Sequence, residues 1–129
     1  ISAGFITTTF AEVNDLDVNN PNGKTITNSA TGAAVDLDNG GSFTVINNGT
    51  ISASATNNAY GVNTVNSTTI TTLSNTKNIT ATASNSNGNG IWIGASTLTS
   101  LTNSGTNSGT AHTDKGNGIK HQATTTNTN

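Results

Sequence analysis

The sequence holds no cysteine and no methionine, a single proline, one tryptophan and one tyrosine. Without cysteine there is no disulfide to staple a fold and no thiol for redox chemistry. Arginine is missing too. The positive charge comes from four lysines, and the formal net charge is -2. Nucleic acid is not expected as a partner, because phosphate binding needs a basic patch. No apolar run approaches the roughly 20 residues of a membrane helix, so membrane insertion is not expected either. The opening Ile1-Ser2-Ala3-Gly4-Phe5-Ile6 has neither a basic start nor a long apolar stretch, and it does not read as an intact signal peptide.

Apolar and charged residues are both scarce, at 30% and 8% of the 129 residues. Threonine, asparagine, serine and glycine fill the gap. Disordered chains share the low hydrophobicity but usually carry high net charge. A nearly neutral chain rich in β-branched residues suits β structure better. Its length fits one domain.

An internal repeat organises the chain. Asn47, Asn75 and Asn103 are spaced by 28 residues each time, and Ala55, Ala83 and Ala111 keep the same step. A second anchor follows in every unit, as Gly61-Val62, Gly90-Ile91 and Gly118-Ile119, with one residue inserted between the first two. Two earlier, shorter units fit less well. Thr25-Ile26-Thr27-Asn28 aligns with Val45-Ile46-Asn47, and Asp15-Leu16-Asp17 with Asp36-Leu37-Asp38. Within each unit Ile51, Ala53 and Ala55, or Ile79, Ala81 and Ala83, alternate with Ser or Thr. Such period-two alternation marks a half-buried strand. Phe43–Ile46, Val62–Val65, Ile70–Leu73, Ile91–Ile93 and Leu98–Leu101 are further strands, separated by Asn, Gly and Ser turn formers.

A unit of about three short strands buries its apolar stripe only by stacking on its neighbours. The expected fold is therefore an all-β, parallel β-solenoid of about five coils, right-handed because parallel crossovers favour that hand. Residues 1–22 read as an edge or capping segment, 23–123 as the coils and 124–129 as a polar tail. Stacked coils place equivalent side chains ~4.8 Å apart. Asparagines at one position then form a hydrogen-bonded ladder. Its expected members are Asn47, Asn75 and Asn103, extended by Asn28. Five coils make a body only ~25 Å long, and its ends expose strand edges. Pairing between copies, as a homo-oligomer or an end-to-end filament, follows as an expectation.

Chemical candidates are few. Glycoside hydrolysis needs two carboxylates on one cleft. Five of the six acids, Glu12, Asp15, Asp17, Asp36 and Asp38, lie in the N-terminal third, and Asp114 stands apart. Asp15, Asp17, Asp36 and Asp38 are the candidate calcium ligands, since hard cations take clustered carboxylate oxygens. The competing reading, a solvated edge where charge discourages strand pairing, is favoured. No other cofactor is expected. His112 and His121 lack a third ligand or a nucleophilic partner and read as surface residues. Alternation points Trp92 away from Ile91 and Ile93, so it marks a contact with another subunit or a carbohydrate platform. Sequons at Asn48, Asn66 and Asn78 arise easily in a chain this rich in Asn and Thr, and they matter only in a host with glycosylation machinery.

The run Asn48-Gly49-Thr50-Ile51-Ser52-Ala53, followed by Ala59-Tyr60-Gly61-Val62, resembles the repeats of autotransporter passenger domains of Gram-negative bacteria. The resemblance covers roughly residues 23–123. It implies a parallel β-helix exported to the cell surface as an adhesin stalk, with a host surface or a carbohydrate as ligand. The expected function is thus a non-enzymatic, extracellular structural or adhesive solenoid. The alternative is a ligand-binding solenoid for ice or carbohydrate, and less so a carbohydrate-active enzyme. For ice, Thr25-Ile26-Thr27 and Thr97-Leu98-Thr99 supply Thr-x-Thr pairs, but these do not recur at one position in every coil.

Overall fold

A computed structural model describes residues 9–28, 31–113, 115–121 and 126–127. Strands follow one another in triplets. The first coil carries β1 (Thr9–Phe10), β2 (Val13–Asn14) and β3 (Val18–Asn20). The second carries β4 (Thr25–Thr27), β5 (Ala33–Leu37) and β6 (Ser42–Asn47). The third carries β7 (Thr50–Ala55), β8 (Ala59–Thr64) and β9 (Thr69–Asn75). In the fourth, β10 (Asn78–Ala83) and β11 (Gly88–Ile93) precede a divided third strand, β12 (Thr97–Leu98) and β13 (Leu101–Asn103). The last holds β14 (Thr106–Ala111), β15 (Gly116–His121) and β16 (Thr126–Asn127).

Each strand pairs in parallel with its counterpart one coil away. Three sheets result: β1-β4-β7-β10-β14, β2-β5-β8-β11-β15 and β3-β6-β9-β12-β16, with β13 also on β9. The molecule is the parallel β-solenoid that the repeat implies. The step of 28 appears directly as register. Ile51 lies beside Ile79, Ala53 beside Ala81 and Ala55 beside Ala83, and β14 continues the same pairing. Among the described residues one register irregularity occurs, between Phe43 and Thr44, where β9 holds an extra residue against β6.

The inward columns form one core. Val35, Val62 and Ile91 stack in the second sheet, and Val18, Val45 and Leu73 in the third. Ile51, Ile70, Leu73, Ile79, Ile91, Ile93 and Leu98 are fully buried, and Phe43 is half-buried against them. Ala53, Ala81 and Ala83 keep the first sheet's side of the core thin. The Gly-Val/Ile anchor has a steric cause. A Cβ at Gly61 would lie 2.5 Å from the Gly90 carbonyl oxygen, and one at Gly90 would lie 2.7 Å from that of Gly118. Glycine alone permits the coils to approach this closely.

The early units depart from expectation. Thr25–Thr27 pairs with Thr50–Ser52, not with the Val45–Asn47 segment to which its sequence was matched. Val18-Asn19-Asn20 is the true counterpart of Val45-Ile46-Asn47. Asp15-Leu16-Asp17 is likewise no copy of Asp36-Leu37-Asp38. Asn14 lies beside Asp36, the chain turns at Asp15 with φ 51°, and Leu16 is 63% exposed whereas Leu37 is buried. Thr126 and Asn127 pair with Thr97–Leu98.

Candidate functional site

The asparagine column occupies the corner between the third sheet and the first. β6, β9 and β13 each end on asparagine, and a two-residue turn leads into the next strand. The Asn20 Nδ2 donates to Asn47 Oδ1 at 2.8 Å, Asn47 Nδ2 to Asn75 Oδ1 at 2.7 Å, and Asn75 Nδ2 to Asn103 Oδ1 at 2.9 Å. Every donor also reaches the first carbonyl of the strand that follows its acceptor asparagine, one coil further on, at Thr50, Asn78 and Thr106, at 3.0–3.1 Å. Asn20, Asn47 and Asn75 are buried. The column therefore runs in one direction, with donors facing the C-terminal coils.

Asn28 is not in it. Its side chain brackets Ser54 instead, donating to the Ser54 carbonyl at 3.0 Å and accepting from its N–H at 2.9 Å. The place expected for Asn28 belongs to Asn20. The longer turn Pro21–Lys24 offsets the next strand, and Thr-Ile-Thr-Asn imitates the apolar-x-Asn signature. Val18-x-Asn20 matches Val45-x-Asn47 and Leu73-x-Asn75, and that spacing was the available signal.

A second polar column went unread. At the corner between the second and third sheets every early coil uses the left-handed region: Asp15 (φ 51°), Gly40 (φ 82°), Asn66 and Ser67 (φ 61° and 58°) and Ala95 (φ 48°). The Gly40 N–H donates to Thr68 Oγ1 at 2.9 Å, and the Thr68 N–H to Ser96 Oγ at 3.2 Å. Thr68 and Ser96 are buried. A further amide pair joins Asn117 Nδ2 to Asn89 Oδ1 at 2.9 Å. These hydroxyls and amides were lost among many similar residues, because only burial singles them out.

The four candidate calcium aspartates divide. Asp15 Oδ1 accepts the Asp38 N–H at 2.8 Å, Asp17 Oδ1 the Thr44 N–H at 2.9 Å, and Asp36 Oδ1 the Asn63 Nδ2 at 2.9 Å. Desolvation, followed by the charges of Asp15 and Asp36, raises the carboxyl of the exposed Asp38 above the usual aspartate value. Among the described residues no group of three or more His, Cys, Asp or Glu is placed to hold a metal ion. Asp15 and Asp17 thus bind backbone N–H groups of the neighbouring coil, and Asp36 binds a side-chain amide. His112 is exposed, and Asp114 and the His121 side chain lie outside the described residues.

Trp92 points outward from β11, half-exposed between buried Ile91 and Ile93. Its indole lies over Gly94, where a Cβ would be 2.7 Å from Nε1. The Lys120 Nζ stands 5.5 Å from the ring centroid, and the Tyr60 ring 6.5 Å away at a tilt of 30°. Burial raises the Tyr60 phenol above its ordinary value. In the same outward column, Asn63 separates Trp92 from Asp36. Aromatic rings, a cation and an amide thus share one patch. Of the sequon asparagines, Asn66 and Asn78 are exposed, while the half-buried Asn48 accepts a hydrogen bond from Thr76 Oγ1 at 2.8 Å.

Stacked parallel coils with in-register polar columns define the class: a parallel β-solenoid repeat protein. No protein-family model, no curated protein and no solved structure matches the chain.

Proposed function

We propose that the chain is a non-enzymatic structural or adhesive stretch of solenoid displayed outside the cell, in the manner of an autotransporter-type passenger, and that further coils or copies add end to end. One observation carries this reading. Asn20, the terminal member of the asparagine column, is buried, yet among the described residues its Oδ1 has no hydrogen-bond partner. A buried acceptor without a donor costs roughly 1–3 kcal/mol, and a donor from one more rung would recover it. The outer strands agree: among the described residues β2 pairs with β5 alone and β15 with β11 alone. Such edges accept another strand.

The aspartates support a structural role, because three of them are spent on hydrogen bonds between coils. The Trp92, Tyr60 and Lys120 patch is the adhesive element of this reading. It combines two ring faces, a side-chain type enriched where proteins bind partners, with a cation held against one of them.

Electron microscopy and light scattering over a concentration series test the assembly. The expected result is rods that lengthen with concentration and that Ile119→Lys, a charge on the edge rung, shortens or abolishes. Dispersed single particles at the highest concentration would contradict it.

A further inference from the structure

We infer that the outer face of the first sheet is an ice-binding surface. The middle outward column of this face reads Thr27, Ser52, Thr80 and Ser108. On one side of it stand Ser54, Thr82 and Thr110. On the other stand Thr25, Thr50, Asn78 and Thr106. Only Asn78 interrupts a field of hydroxyls. All of these residues are half-buried or exposed, while the intervening Ile26, Ile51, Ala53, Ile79 and Ala81 are buried.

The Thr-x-Thr pattern therefore recurs in four of the five coils once serine is admitted, whereas the first coil carries Thr9-Phe10-Ala11 at this place. Thr97-Leu98-Thr99 obscured it, because that pair lies on the third sheet and Thr25-Ile26-Thr27 on the first. This sheet has no register shift at any of its pairs. Parallel rungs set one spacing at ~4.8 Å, and alternate residues along a strand set the other at ~6.7 Å. The result is a two-dimensional hydroxyl lattice.

Three properties select the partner. The columns carry no ionisable side chain, so the complementary surface is itself uncharged. Short Ser and β-branched Thr side chains have little rotamer freedom to lose, which suits binding to a rigid periodic surface. The Thr80 Oγ1 donates to Ser52 Oγ at 3.3 Å, a contact that aligns hydroxyls along the axis. A glycan surface would be met with ring faces, but Tyr60 and Trp92 both lie on the second sheet. Ordered water in crystalline ice offers an uncharged, periodic array of donors and acceptors. The inference is independent of end-to-end assembly, since the face lies along the side of the stack.

Ice-affinity partitioning of the full chain, with ice-recrystallisation assays, tests it. The wild type is expected to enter growing ice and to arrest recrystallisation. Thr82→Tyr, a bulky ring in one of the lattice's side columns, is expected to lose both activities. Thr102→Tyr, on the third sheet, is expected to keep them. Far-UV circular dichroism establishes folding, and Thr110→Lys replaces Thr82→Tyr if the latter does not fold. Exclusion of the wild type from ice overturns the inference. So does retained ice binding in folded Thr82→Tyr or Thr110→Lys, or adsorption to crystalline chitin without adsorption to ice.

Discussion

The Nδ2 of Asn47 donates to the Oδ1 of Asn75 at 2.7 Å, across 28 residues of sequence. That contact ties the chemical repeat to the spatial one. Both asparagines are fully buried, so each amide group depends on its neighbours in the column. Removing one member therefore injures two others. Asn75→Ala leaves the Asn47 donor short of an acceptor and deprives Asn103 and the Thr106 carbonyl of their donor. Its expected cost is about 3 kcal/mol, read from urea denaturation. Asn75→Asp sharpens the test. A carboxylate there is buried, which raises its folded-state pKa. The penalty is present above that pKa and relieved as the pH falls through it, so this variant should recover stability in acid while Asn75→Ala should not.

Thr64 offers the opposite outcome. It is fully buried between Leu37 and Ile93, and its Oγ1 has no partner among the described residues. Replacing that hydroxyl with a methyl group keeps the shape and removes a desolvated dipole. Thr64→Val is expected to stabilise the protein by about 1 kcal/mol, seen as a higher urea midpoint with an unchanged slope.

Ala95 sits in the left-handed region at φ 48°. An L-residue there costs roughly 1–2 kcal/mol. Glycine removes that cost but gives back about 0.4–1 kcal/mol through the freer unfolded chain. Ala95→Gly should therefore stabilise by about 0.5–1 kcal/mol, measurable as a rise in Tm. Gly40→Ala, at φ 82° in an equivalent corner, should lower it.

Asp38 supplies a pH dependence. Desolvation, then the charges of Asp15 and Asp36, lift its folded-state pKa above the unfolded value. The unfolded chain then loses its proton first as pH rises. Asp38 accordingly opposes folding above the raised pKa, and the penalty disappears below the ordinary aspartate range. Because the residue is exposed, solvent screens most of the effect. Asp38→Asn should give a small gain in stability at neutral pH and none in acid, checked by denaturation at about pH 7 and about pH 3.

The architecture was legible because stacking forces equal residues to repeat at equal steps. Asn47, Asn75 and Asn103 kept their spacing because the coils between them are of equal length, 28 residues each. The first coil was not legible for the same reason reversed. Asn20 stands 27 residues before Asn47, one short of the period, so it escaped the pattern and Asn28 mimicked it. Thr68, Ser96 and Asn89 are chemically ordinary in a chain full of Thr, Ser and Asn. Only coordinates separate a buried hydroxyl from an exposed one. The hydroxyl face is hidden in the sequence because serine and threonine share its lattice sites. Trp92 was legible from alternation, but its neighbours Tyr60 and Lys120 come from other coils.

The most direct measurement is a nuclear Overhauser spectrum of isotope-labelled protein that resolves the asparagine side-chain amides. Stacked coils predict through-space contacts from the Asn75 amide to both Asn47 and Asn103, with slow solvent exchange for Asn47 and Asn75. Rapidly exchanging amides with no contact between these three residues would contradict the solenoid.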